Sequence, residues 1–251
     1  AVQAGYPRTD DVNGYRQEGF ARFDRNICRG RRHSAARAYL HPVMHRPNLT
    51  VRTLAFVKRI VFEGQRAVGV ECIQYKGVPA TIHAGEVILC GGAINTPQLL
   101  QLSGVGPANV LQPLGVPMVV DLPGVGANLQ DHLEVYVQYA CREPVAVNPH
   151  IGWLRKLGVG AQWLFLRSGI GATNHFEGGG FCRSNDDVEY PNLMFHFLPM
   201  AIRYDGTAPT QGPGYQVHVG PMYSDARGSV QIRSSDPRLP PALQFNYLST
   251  D

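Results

Sequence analysis

The stretch ILCGGAINTPQLLQLSGVG, Ile88 to Gly106, runs from an apolar segment through two glycines into a helical pattern that stops at a second glycine pair. Asn95 or Thr96 suits the cap of that helix and Pro97 its first turn. Glu86 to Cys90 forms a short, largely apolar run, as in strands covered on both faces of a layered α/β sheet. The expected unit is therefore strand, glycine turn, helix. Gly91, Gly92 and Ala93 present almost no side chain. That bareness fits a tight turn, and it equally fits a ligand approaching the amides and the positive end of the helix dipole. Spacing alone leaves both readings open.

Around this unit the 251-residue chain, 44% hydrophobic, is long enough to bury a substantial core in one large domain or two smaller ones. Its five cysteines are odd in number and widely spaced, without a CxxC pair, which points to neither a disulfide framework nor a zinc ribbon. Pro, Asp, Gln or Arg interrupts every apolar run before membrane-spanning length, and the first residues do not read as a signal peptide. The net charge of +4 comes from arginines scattered along the chain, with one small cluster at Arg29, Arg31 and Arg32. A nucleic-acid surface would need a basic stripe with interleaved aromatics, so no nucleic-acid partner is expected. The sequence has no initiator methionine and ends just after FNYLSTD, which reads as an internal segment of a longer protein.

Ala1 to Asn26 lacks clean periodicity and reads as loop able to cover a site. SAARAYLHPVM, Ser34 to Met44, reads as a helix that Pro42 ends or kinks. His41 and His45 have metal-like spacing, but a proline rather than a glutamate follows the first, so no metal site is expected. NLTVRTLAFVKRIVFEG, RAVGVECIQYKG and ATIHAGEVILCGG then read as an antiparallel excursion returning to the strand at Glu86. Three GxG triplets, starting at Gly104, Gly124 and Gly158, all fail to join a strand to a helix as a dinucleotide fingerprint requires. Composition shifts between Pro144 and Lys156. The expected domains are 1–145 and 146–251, the second with a helix at GVGAQWLFLRSG and strands at PNLMFHFLPMAI, GYQVHVGPM, GSVQIRSSD and PALQFNYL.

GAINTPQLLQLSGVG, Gly92 to Gly106, resembles the second signature of the glucose-methanol-choline oxidoreductases, a flavoenzyme family. GRRHSAARAYL, RPNLTV, PGVGANLQDH and ARGSVQIRSSDP resemble further family patterns in family order, so the likeness covers essentially the whole chain. GYRQEGF, NHFEGGGF, FHFLP and YQVHVGPM resemble the choline-oxidising members. The fold implied is α/β plus α+β: an incomplete FAD-binding Rossmann-like domain beside an antiparallel-sheet substrate domain. The family's diphosphate loop would precede Ala1 and its catalytic histidine would follow Asp251, so no catalytic residue is expected within these residues, and the segment alone is expected to be inactive.

The resemblance implies FAD as cofactor, with Gly91, Gly92 and Ala93 beside the flavin and Val57 meeting the adenine through its backbone. Asp131 and His132 are expected to be structural. Glu177 is expected to face the trimethylammonium group of choline. A quaternary ammonium offers no N–H donor, so charge, aromatic faces and shape must recognise it. Phe176 and Trp163 could supply aromatic faces or simply fill a core. The reaction implied is hydride transfer from the alcohol carbon to flavin N5, turning choline into betaine aldehyde, with electrons passed to the respiratory chain. The alternatives are a neutral alcohol as substrate, or a protein that keeps the fold without chemistry. RAYLHP and NYLST lean towards the animal form and a mitochondrial address, with bacterial cytoplasm or inner-membrane periphery as the alternative.

Overall fold

The computed structural model describes residues 1–150, 152–203 and 212–250. In chain order the strands are β1 (Gly19–Arg22), β2 (Ile27–Cys28), β3 (Arg31–Arg32), β4 (Phe56–Glu63), β5 (Arg66–Ile73) and β6 (Pro79–His83). Helix α1 (Gly92–Leu102), β7 (Val105–Gly106), α2 (Ala108–Leu111), β8 (Val120–Asp121), β9 (Ala127–Leu129) and β10 (Val135–Ala140) follow. Then come α3 (Trp153–Leu166), β11 (Gly178–Cys182), β12 (Leu193–Leu198), β13 (Gly214–Pro221), β14 (Gly228–Gln231) and β15 (Ala242–Gln244). Helices mixed with antiparallel sheets agree with the class expected from the sequence.

Contacts divide the chain into two compact units, one of Ala1–Leu49 with His132–Tyr223, the other of Thr50–Asp131 with Ser224–Asp251. This is not the division expected at residue 145. Strand pairing gives the reason: β10, before that point, takes all its partners from β13, after it, and β1 pairs with β11.

The first unit is built on an antiparallel sheet of order β1-β11-β12-β13-β10. Its β11 begins with three glycines, and aromatic rings occupy the side-chain space of the second and third. A Cβ on Gly179 would sit 2.3 Å from the Phe23 ring, and one on Gly180 2.6 Å from the Phe20 ring. Phe20 in turn packs against Phe195 and Phe197 at 5.5 and 6.1 Å. Helix α3 matches the expected helix but starts five residues earlier than the GVGAQWLFLRSG motif.

The second unit holds the β4-β5-β6 antiparallel sheet, with the turn at Gly64, and a smaller sheet of order β15-β14-β9. Helix α1 is tied to β14 and its surroundings through Gln101, which is fully buried. Its Nε2 donates to the carbonyls of Val230 (2.9 Å) and Val125 (3.2 Å), and its Oε1 accepts from the Ile232 N–H (2.8 Å). A buried amide so satisfied replaces side-chain packing with directional bonds to three backbone groups. Leu111, Val116 and Ile232 form the apolar core alongside.

Two local expectations are corrected. Helix α1 starts at Gly92, not near Pro97, which lies inside it. Gly92 has φ +76°, a backbone state that glycine enters freely, and so lets the chain turn into the helix early. Pro97 then lacks the N–H that the Ala93 carbonyl would accept. Glu86–Cys90 does not join a sheet among the described residues. Val87 and Leu89 are half-buried while Glu86, Ile88 and Cys90 are exposed, so the segment packs on one side and has no neighbouring strand to bond.

Candidate functional site

In the second unit, Val57 and Gly91, far apart in sequence, line one cavity of about 430 Å³ together with Phe56, Val70, Leu89 and Leu99. Val57 sits where the register of β4 on β5 slips, between Val57 and Arg59. Gly91 precedes the helix and Gly92 and Ala93 open its first turn, all three exposed. No side chain caps this end and no acidic residue lies in the first turn, so its amides are free to meet an anionic or electron-rich group. A Cβ on Gly92 would meet nothing within 4 Å, whereas one on Gly91 would come within 3.0 Å of the Thr96 nitrogen. The bareness at Gly91 thus serves the turn, and that at Gly92 leaves open space above the helix end. Asn95, Thr96 and Gln98 add polar groups to the cavity lining, which Gly92 and Ala93 do not join, so the cavity suits a ligand with both apolar and polar portions.

The far end of α1 answers to packing. Gly104 has φ +86°, and a Cβ there would lie 2.2 Å from the Pro117 carbonyl oxygen. The Ser103 hydroxyl donates to the Leu99 carbonyl (2.5 Å) and accepts the Ile60 N–H (2.8 Å), tying the helix end to β4.

In the first unit, Glu177 lies just before β11. Arg25 Nη1 donates to its Oε1 at 2.5 Å, and the Thr173 hydroxyl donates to the same oxygen at 2.6 Å. Thr173 is itself oriented, accepting from Arg25 (2.9 Å) and from the His175 N–H (3.2 Å). The Thr173 hydrogen bond, then the charges of Arg25 and Arg22, hold the Glu177 carboxyl below the usual range against a desolvation that acts the other way. Both bonds fall on Oε1, leaving Oε2 without a hydrogen bond among the described residues. Sequence reasoning found Glu177 but missed Arg25, whose contact with it depends on the pairing of β1 with β11, and Thr173, four residues before it.

Phe176 meets the rings of His196 and His218 edge-to-face, at 6.1 and 6.0 Å. Burial pushes the His196 imidazole down from its ordinary pKa. His218 is bonded to Glu134 and Gln216. Gln216 and His218, both buried, are two residues apart on β13 and share a face; YQVHVGPM was read as strand and as a family-like stretch, without either residue being singled out. Trp163 is placed elsewhere: its Nε1 donates to the Gly30 carbonyl (2.7 Å) and Arg167 stacks over its ring at 4.2 Å. It also borders a depression of about 1100 Å³ lined by Arg25, Arg32, Arg37 and Thr173, which Glu177 does not line. Asp131 accepts from the Tyr247 hydroxyl, and His132 Nδ1 lies 2.9 Å from the Pro221 carbonyl, so both make structural bonds.

The described residues contain no cluster of His, Cys, Asp and Glu that could hold a metal ion, and no helix long and apolar enough to cross a membrane.

A family profile described as GMC oxidoreductase matches residues 1–134. The chain is 59% identical over 250 residues to proteins named oxygen-dependent choline dehydrogenase from Staphylococcus aureus strains JH9 and Newman, covering all of this chain and 44% of each relative. The chain thus spans less than half the length of these curated relatives. Among solved structures, pyridoxine 4-oxidase from Mesorbium loti superimposes with a TM-score of 0.81 at 30% identity, over 99% of this chain and 45% of that one. A formate oxidase variant from Aspergillus oryzae gives a TM-score of 0.90 at 23% identity, over 100% of this chain and 48% of that one, a likeness of fold. The choline dehydrogenase relatives are bacterial, so the mitochondrial address expected from RAYLHP and NYLST finds no support in them. On the family match and this arrangement of sheets and helices, the chain belongs to the GMC oxidoreductases.

Proposed function

We propose that this chain forms part of an FAD-dependent oxidoreductase acting on CH–OH groups, with choline as substrate and betaine aldehyde as product. The observation that carries the choline reading is the one-sided bonding of Glu177. Its carboxylate is fixed through Oε1 and ionised at neutral pH, while Oε2 stays open to a cation. A trimethylammonium group cannot donate N–H bonds, so it needs a fixed charge and an aromatic neighbour, and Phe176 adjoins that carboxylate in sequence. The 59% identity to proteins named choline dehydrogenase supports the same substrate.

FAD is the cofactor we assign to the second unit. Val57 and Gly91, in one cavity, and the uncapped amides after Gly92 and Ala93 would hold its apolar and polar portions respectively. When bound, FAD supplies the acceptor for the hydride removed from the alcohol carbon. The residues of this chain contribute binding and orientation: the first unit presents Glu177 and the aromatic rings, the second the cavity and the helix end. The electron acceptor beyond the flavin is the respiratory chain or dioxygen; the latter appears in the relatives' name. The bacterial cytoplasm or the periphery of the inner membrane is the setting these relatives favour.

The experiment is steady-state turnover of the FAD-loaded enzyme containing this chain, with choline against its uncharged carbon isostere 3,3-dimethylbutan-1-ol. A strong preference for choline that disappears in Glu177→Gln is expected. Equal use of both alcohols, or no effect of the substitution, would favour the second reading, a neutral alcohol. One observation favours that alternative: Arg25 already compensates part of the Glu177 charge.

A further inference from the structure

A chain of side-chain amides in the first unit can be oriented from a single backbone residue. The Ile202 carbonyl can only accept, so the Gln138 atom 2.6 Å from it is the amide nitrogen. The Ile202 N–H can only donate, so the Gln216 atom 3.0 Å away is Oε1, which also accepts from Gln138 at 2.9 Å. Gln216 must therefore turn its Nε2 to His218, 2.6 Å from ring Nε2. An amide nitrogen donates, which leaves that ring nitrogen the acceptor and puts the imidazole proton on Nδ1. Nδ1–H then points at Glu134 Oε1, 2.8 Å away. The network thereby fixes the ring in one orientation, between Gln216 and Glu134.

What the oriented ring touches gives it a use. His218 and His196 are register partners across β12 and β13. Phe176 stands edge-on to both, with interplanar angles of 70° and 87°. Tyr136 backs the His218 ring from β10 at 5.6 Å. Phe176 thus packs against two rings, one of them fixed by hydrogen bonds at both nitrogens, and the next residue in the chain is Glu177.

We infer that His218 is a positioning residue for cation recognition: held between Glu134 and Gln216, it clamps Phe176 and thereby sets where Glu177 presents its free oxygen. This inference rests on the choline reading above. His218 acts through Phe176 and takes no part in the oxidation itself.

The test uses the FAD-loaded enzyme. His218→Asn keeps an N–H donor towards Glu134 and removes the ring. It is expected to raise KM for choline roughly five- to tenfold, the size of a lost aromatic edge contact, with kcat and the KM for 3,3-dimethylbutan-1-ol within about twofold of the parent. Glu134→Gln retains an acceptor for Nδ1–H and should stay near the parent, while Glu134→Ala should reproduce the His218→Asn split. If His218→Asn does not fold, Glu134→Ala carries the kinetic test. Equal losses on both alcohols, or a fall in kcat with KM unchanged, would overturn the inference. So would a ¹⁵N-histidine spectrum showing His218 as the Nε2–H tautomer at neutral pH. Should the parent oxidise no choline, the functional reading fails separately. The clamp is then judged by that tautomer and by a crystal structure of the variant, in which an unmoved Phe176 would sink it.

Discussion

Arg25 and Glu177 are 152 positions apart in sequence and 2.5 Å apart in space, joined through a single carboxylate oxygen. The pair is partly solvent-exposed, so its contribution to stability is small. Its value lies in fixing a charge. Because the folded-state pKa of Glu177 is depressed, whatever stability the ionised group contributes is present above the ordinary glutamate range and is lost as pH falls through the lower folded value.

Replacing Arg25 with Met removes one of the groups that hold that pKa down. The acid limb of the kcat/KM profile for choline is expected to move to higher pH, while the profile for 3,3-dimethylbutan-1-ol stays put. Glu177→Gln should abolish the choline acid limb and raise KM for choline about tenfold, equivalent to about 1.4 kcal/mol. Parallel pH profiles for both alcohols in the parent would count against a charge-based site.

Gly92 and Gly104 both have positive φ but different surroundings. Gly92→Ala meets open space, so its expected destabilisation is the backbone strain alone, about 1–2 kcal/mol. If the helix end meets FAD, this variant should also lose bound flavin, read from the visible absorption per mole of protein. Gly104→Ala adds a clash with the Pro117 carbonyl and should destabilise by about 3–5 kcal/mol. Urea unfolding midpoints rank the two.

Gln101→Leu strands the buried Ile232 N–H and the Val230 carbonyl, which Gln101 satisfies at 2.8 and 2.9 Å. The expected loss is about 2–4 kcal/mol, measured by denaturant unfolding. A near-neutral result would mean water or a rotated backbone replaces those bonds.

Trp163→Phe deletes the bond to the Gly30 carbonyl and weakens the Arg167 stack. It should destabilise by about 1–2 kcal/mol without raising KM for choline. A specific rise in KM would return Trp163 to the substrate.

The antiparallel sheets were legible because β4, β5, β12 and β13 alternate or cluster Val, Ile and Phe between glycine turns. Glu177 and the glycines after Cys90 stood out through a long motif. Gly179 and Gly180 lie under Phe23 and Phe20, from β1 and the residues after it. Local pattern cannot show which distant ring covers a bare strand. The same limit hid Arg25 and Glu134, whose partners lie 152 and 84 residues away across paired strands. The start of α1 was misplaced because Asn95, Thr96 and Pro97 form a good helix entry in isolation, while the open backbone of Gly92 allows an earlier one.

Each compact unit draws on two separated stretches of polypeptide, so the ribosome cannot finish one before starting the other. β1 emerges long before β11, and β9 waits for β14. Such distant pairings favour slow, late closure during synthesis, and a break anywhere between residues 132 and 223 would leave both bodies incomplete at once, with consequences for truncated transcripts and for any attempt to express either half alone.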